Sequence, residues 1–240
     1  MAIGAYEKSK RYIESHTQKS EQPLLKRELY PCITISRQTG AGSKPVCEKL
    51  IQIMDSYSEF EGVKWAFFDR SLIEKVLEDL HLPGQISGYM PEGKYRHLTS
   101  AVNELLGLKP AEWTIIHKTT ETILQLARMG NVVIVGRGAN IITSKLKNTF
   151  HVRLIASLEK RVEHIKSLLD INEKEALTHI KKEDENRKQY LKSYFRVDIE
   201  DPLLYHMTVN TDLLTHEGAA YLIAEAVVLK FSNLFPQFVH

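Results

Sequence analysis

ITISRQTGAGSKPVCEKL, residues 33–50, decides how the rest of the chain is read. Three β-branched residues, Ile33, Thr34 and Ile35, feed a loop with Gly40 and Gly42, and a helix-like stretch from Pro45 to Leu50 follows. A strand, a glycine loop and a helix start, in that order, converge backbone N–H groups and a helix dipole on a place where an anion can sit. The loop departs from the usual G-x-x-x-x-G-K-[ST] pattern, because Ser43, Lys44 and Pro45 follow Gly42. In the usual loop the lysine reaches the β- and γ-phosphates and the hydroxyl after it coordinates Mg²⁺. Pro45 can do neither, although it suits a first helical turn, where no N–H is needed. Lys44 comes one residue late, a rotation of about 100° around a helix. Ser43 is the candidate magnesium ligand. A working phosphate site therefore needs cations from elsewhere, and the alternative for the two glycines is a structural turn.

Composition limits what those cations serve. The 240 residues carry 32 basic and 30 acidic side chains, a net charge of +2, so no global signature of polyanion binding exists and nucleic acid is not an expected partner. Hydrophobic residues make up 43% and charged ones 26%, the balance of a globular chain with one main core. Cys32 and Cys47, the two cysteines, match neither a zinc-binding nor a disulfide pattern and read as reduced structural thiols. The first residues lack the apolar region of a signal peptide, and no apolar run is long enough to span a bilayer, so a cytoplasmic protein is expected.

Outward from the loop the chain alternates. Apolar runs at 32–36, 64–68, 132–135, 150–155 and 205–209 read as buried strands, with helical periodicity between them. Ala111 to Met129 is one such helix, with Gly130 placed as its C-terminal cap. Leu213 to Lys230 is another. Strands separated by amphipathic helices predict an α/β fold with a mainly parallel sheet covered on both faces, and ligands at the C-terminal ends of its strands. Two segments break the alternation: 81–110, with four glycines and three prolines, reads as an irregular insert over a pocket, and 172–201 as a charged helix pair or arm. Residues 1–30 read as a partly helical extension packed on the body or on a second copy of the chain, through which a homo-oligomer would form.

Cations stand at the predicted strand ends. Asp69 and Arg70 follow 64–68, Gly136-Arg137-Gly138 follows 132–135, Arg161 comes a short turn after 150–155, and Asp184 and Arg187 lie in the charged arm. Singly, each arginine suits a surface ion pair. Together they suit phosphoryl transfer, where catalysis is chiefly positioning and charge neutralisation and where guanidinium offers bidentate contacts to phosphate. Asp69 could orient a magnesium-bound water or a substrate hydroxyl, or cap a helix from Ser71.

The ordered series ITISRQTGAGS, FFDRSLIEKV, VVIVGRGAN, FHVRLIASLEKRV and KKEDENRKQYLKSYFRVDIEDPLLYHMTVNT resembles the cytidylate-kinase-like proteins, a branch of the P-loop nucleoside monophosphate kinases, over roughly residues 31–230. The resemblance implies a three-layer P-loop kinase domain over 31–235, with a five-stranded parallel sheet, an NMP-binding insert at 81–110 and a helical lid at 172–201. Members of this family typically also lack the lysine after the second glycine. Carried over, Arg37, Gly40, Ala41, Gly42 and Ser43 form the donor-phosphate loop, and Asn210 lies near the donor base. Asp69, Arg70 and Arg137 belong to acceptor binding. Arg161, Arg187 and Lys44 are the catalytic cations, and Asp184 with Arg187 is the second half of the lid motif R-D-x-x-D-x-x-R. Two departures stand out: Gly138 replaces the aspartate of Gly-Arg-Asp, and Ile180-Lys181 replaces the first Arg-Asp of the lid, with Lys181 and Lys182 nearby as substitutes.

The expectation is a phosphotransferase using ATP and Mg²⁺ on a small nucleotide-like acceptor, cytidylate (CMP or dCMP) first. Two alternatives stand beside it: a nucleotide-binding regulatory module without turnover, and a kinase of a non-nucleotide acceptor.

Overall fold

The computed structural model describes residues 30–57, 64–69 and 111–235. Residues 1–29 of the expected extension at 1–30, Arg70 and the expected insert at 81–110 lie outside the described residues.

Five parallel strands form the sheet: β1 (Cys32–Arg37), β2 (Ala66–Phe68), β3 (Val132–Val135), β4 (Thr149–Ile155) and β5 (Met207–Asn210), in the order β2-β3-β1-β4-β5. The expected runs become these strands with ends moved by one or two residues. Period-2 alternation sends Ile33 and Ile35 to one face and Cys32, Thr34 and Ser36 to the other. On the first face Val133, Val135, Val152, Leu154 and Val209 meet helices α1 (Ser43–Tyr57) and α6 (His216–Lys230), through Leu50, Met54, Ile223 and Val227. On the second, Cys32, Phe68, Val132 and Ile134 meet α2 (Ala111–Met129), through Ile123, Leu126 and Ala127, and the short α3 (Ala139–Ile142). Burial on both faces explains why the strands read as near-continuous apolar runs.

Helix starts differ from the expectation in ways that capping explains. The helix α1 begins at Ser43, before Pro45, and its first i→i−4 bond runs from the Val46 amide to the Gly42 carbonyl at 3.1 Å. Pro45 thus sits where its missing N–H removes nothing. The last helix starts at His216 and not at Leu213, because the Thr215 hydroxyl accepts from the Gly218 amide at 3.0 Å and fixes the N-cap there.

The charged arm is not a helix pair within 172–201. It is one helix, α5 (Glu173–Phe195), opened by a capping box of Asn172 and Glu175. Its partner is α4 (Leu158–Leu169), against which Ala176 and Ile180 pack with Val162 and Ile165. The far end of α5 packs Tyr190 and Leu191 on Ile116, Ile141 and Ile199. Among the described residues no helix is long and apolar enough to cross a membrane.

Candidate functional site

The loop after β1 leaves the centre of the sheet, so every other strand end can face it. Its backbone is fixed by bonds to neighbours: the Gln38 amide donates to Leu154 O at 3.0 Å, and the Gln38 side-chain oxygen accepts from the Ala156 amide at 3.1 Å. Gly40 (φ 86) and Gly42 (φ 71) are left-handed, a conformation that glycine adopts at no steric cost. Space enforces the same choice. A Cβ on Gly40 would lie 2.7 Å from the Arg161 carbonyl, and one on Gly42 would lie 2.3 Å from His216 Nε2. Thr211 adds a brace by donating its hydroxyl to Ala41 O at 3.2 Å.

Onto this loop the α4–α5 pair brings both expected arginines. Asp184 is the hub. Its Oδ1 accepts from the Thr39 amide at 2.8 Å, the Thr39 hydroxyl at 2.7 Å and Arg187 Nη1 at 3.0 Å. Its Oδ2 accepts from Arg161 Nη1 at 2.6 Å. Arg187 Nη1 also donates to the Thr39 hydroxyl, and Nη2 lies 3.7 Å from Glu183. Charge-assisted bonds of this kind are roughly twice as strong as neutral ones, so one carboxylate ties α4, α5 and the loop together. Thr39 had no role in the sequence reading, because nothing local marks it as the docking point for a residue 145 positions later.

Other expected cations are placed differently. Lys44 is exposed on α1 beside the half-buried Ser43, and Lys181 and Lys182 are exposed on α5. Ile180 is 1% exposed inside the α4–α5 apolar cluster. The expected loss of a lid cation at this position is, in the fold, the gain of a packing residue.

The acceptor-side candidates gather beyond β1 and β3. A Cβ on Gly136 would lie 2.2 Å from Arg37 Nη1, so the Arg37 guanidinium rests on that glycine. Gly136 (φ 81), Arg137 (φ 54) and Gly138 (φ 69) are consecutive left-handed residues, and Arg137 is buried. A non-glycine residue held this way costs roughly 1 kcal/mol or more, and such strain concentrates at functional sites. Gly138 lies under α5: a Cβ there would be 2.8 Å from Phe195 Cε2 and 3.2 Å from Leu191 Cδ2. That contact gives a physical reason for glycine where the resembled motif has aspartate. Asp69 follows β2 at the same edge, and the fields of Arg37 and Asp69 both reach Cys47, whose thiol burial pushes up to about 12. Cys47 is therefore an unreactive thiol. On the opposite side Asn210 closes β5, its side-chain oxygen taken by the Asp212 amide at 2.9 Å.

Arg153 was missed by sequence reasoning. Buried in β4, it donates to Ser36 Oγ at 3.2 Å and Glu200 Oε1 at 2.6 Å and lies over the Tyr205 ring. Its role is to fasten the segment that returns from α5 to β5. The only signal was a lone arginine in an apolar strand.

Phosphate fits these residues. The glycine loop lies at a helix N-terminus, with the Ala41 amide spent on Gln38 O at 3.2 Å, and the buried Arg161 Nε has no hydrogen-bond partner among the described residues. For Mg²⁺ the donor set is thinner: the Ser43 hydroxyl is the one expected ligand, and among the described residues no group of three His, Cys, Asp or Glu could hold a metal. A magnesium ion here would be carried chiefly by phosphate oxygens.

Comparison with known proteins bears on the fold and the family. Residues 32–213 match the model of the cytidylate kinase-like family. A cytidylate kinase from Pyrococcus horikoshii is 33% identical over 106 residues, 43% of this chain and 53% of that protein. One from Methanocaldococcus jannaschii is 26% identical over 106 residues, 43% of this chain and 60% of that protein. The chain thus spans little more than half the length of these curated relatives. Among solved structures, an uncharacterised protein from Eubacterium ventriosum superposes with a TM-score of 0.60 at 18% identity, over 82% of this chain and 98% of that one, a likeness of fold.

Proposed function

The chain belongs to the cytidylate kinase-like family, and from that premise we propose that it is a phosphotransferase moving the γ-phosphate of ATP to a small nucleotide-like acceptor, cytidylate first. The observation that carries the reading is the convergence of Arg161 and Arg187 on Thr39 through Asp184, which holds two guanidinium groups against the glycine loop. Loop amides of Gly40, Gly42 and Ser43 and the N-terminus of α1 hold the donor phosphates, the Ala41 amide being spent on Gln38 O. Arg161 and Arg187 neutralise the phosphoryl group in flight, and Asp184 fixes their orientation. Arg37, Asp69, Arg70 and Arg137 serve the acceptor side, and Asn210 the donor-base side. Ser43, together with the donor phosphates, would hold Mg²⁺, which would supply neutralisation of the charge that develops during transfer. Residues 172–201, with α5 at their core, act as the lid that excludes water. Because an acceptor phosphate is already ionised, no general base is required. Lys44, exposed on α1, is the remaining catalytic cation beside the loop.

The test is a phosphoryl-transfer screen with purified protein, ATP and Mg²⁺ against the common nucleoside monophosphates and deoxynucleotides, reading ADP above the acceptor-free background. Acceptor-dependent ADP is expected. ATP binding without turnover on any acceptor would overturn the reading.

One observation favours a second reading, a nucleotide-binding regulator: Asp184 already balances both guanidinium groups. Such a module would bind ATP with little dependence on Mg²⁺ and would keep that affinity in Arg187→Ala. A kinase of a non-nucleotide acceptor is favoured by Gly138, which removes the carboxylate that would read a base.

A further inference from the structure

The loop's sequence leaves a gap that another element fills. Ser43 stands directly after Gly42, where a phosphate loop usually has lysine, and Lys44 is exposed. Across from Gly42, the first residue of α6 brings an imidazole into the cradle: the place a Gly42 Cβ would take is 2.3 Å from His216 Nε2, 2.7 Å from Cδ2 and 3.2 Å from Cε1. The ring is therefore set against the residue that ends the glycine loop. Three contacts hold it there. Thr215 caps α6 and fixes His216 as its first residue. Thr211 ties the β5–α6 connection to Ala41. His164 of α4 sits edge-on, ring centroids 6.1 Å apart.

We propose that His216 contacts the donor phosphates over Gly42 through Nε2, standing in for the absent loop lysine, with His164 as the residue that positions its ring. The inference rests on the phosphotransferase reading only in taking the loop as a phosphate site. Burial, and then His164, hold the His216 pKa below its usual value in the free protein, while a phosphate beside the ring favours its protonated form; in either state Nε2 can carry an N–H donor. An Nε2–H donating to a phosphate oxygen is a charge-assisted bond. A lysine would bring a full charge. His216 brings a directed donor, with Arg161 and Arg187 as the permanent charges.

The experiment is a calorimetric titration of the full chain with inorganic tripolyphosphate and, separately, with ATP, for the wild type, His216→Ala and His216→Gln. It is paired with ¹H–¹⁵N spectra of the wild-type histidine rings during the tripolyphosphate titration. His216→Ala is expected to weaken tripolyphosphate and ATP alike by about ten- to a hundredfold. His216→Gln, which keeps an N–H donor, recovers part of the loss. In the wild type the His216 Nε2 resonance moves as tripolyphosphate saturates. Equal affinity in His216→Ala overturns the proposal, and so does higher affinity, which would make the ring a plug. Should the alanine variant fail to fold, an unmoved His216 resonance at saturation overturns it in the wild type alone. A wild type that binds neither tripolyphosphate nor ATP instead removes the loop as a phosphate site, and this inference falls with the functional reading.

Discussion

Asp184 shows how much one carboxylate can decide. It meets the Thr39 amide, the Thr39 hydroxyl and both arginines, so Arg187 cannot be removed without loosening the loop as well. If Arg187 acts mainly in the transition state, Arg187→Ala lowers kcat by about a hundredfold or more while ATP affinity changes by less than about tenfold. Steady-state kinetics beside equilibrium binding separate the two, and an unchanged kcat removes Arg187 from the mechanism. Gly138 poses the opposite case, a residue set by packing. Gly138→Asp would restore the family motif on paper. It also forces a Cβ to 2.8 Å from Phe195 in a left-handed backbone. The expected result is about 2 kcal/mol of lost stability, a fall in Tm of about 4–8 °C for a chain of this size, read by calorimetry. An unchanged Tm would mean that Phe195 gives way and that glycine is not required by α5.

The elements were legible because their physics is local. Val132 to Val135 by unbroken apolar character, and Cys32 to Ser36 by β-branched and small residues, announce buried parallel strands, and Gly130 ends α2 where the sequence placed it. The meaning of α5 was not local. Its charges read as a solvated arm with a lost cation at Ile180, yet the helix is held by an apolar stripe of Ala176 and Ile180 against Val162 and Ile165. Only knowledge of which helix lies alongside turns that stripe into an interface. Restoring the family residue tests the distinction. Ile180→Arg buries a guanidinium among aliphatic side chains, so it should destabilise the α4–α5 pair by about 3 kcal/mol or more and lower turnover through lost docking of Asp184. Urea denaturation reports the first effect and the transfer assay the second. Higher turnover at unchanged stability would place position 180 in the site and not in the packing.

At the scale of the whole molecule the site lies at the C-terminal ends of the strands, around the loop after the central β1, and a polar seam links β1, β4 and the approach to β5. Thr34 Oγ1 lies 2.8 Å from His151 Nδ1, the His151 amide donates to His206 Nδ1 at 2.9 Å, and Lys230 Nζ approaches His206 Nε2. None of this was foreseen, because a histidine within FHVRLI gives no sign of which strands will flank it. The seam makes stability depend on pH. Burial first, then His206 and Lys230, lower the His151 pKa from 6.5 to about 4. Above pH 6.5 the ring is neutral folded or unfolded, and its contribution is complete. As pH falls from 6.5 towards 4 the unfolded chain takes up a proton that the folded one refuses, so stability drops across that window, by about 3 kcal/mol from this residue. His206, also lowered by burial and by Lys230, acts with the same sign. Urea melts at pH 7.0, 5.5 and 4.5 should show this slope, and His151→Gln should flatten it, at a lower stability at pH 7 if the bond to Thr34 is weakened. A slope unchanged in His151→Gln would assign the acid sensitivity elsewhere, with His206 the next residue to replace.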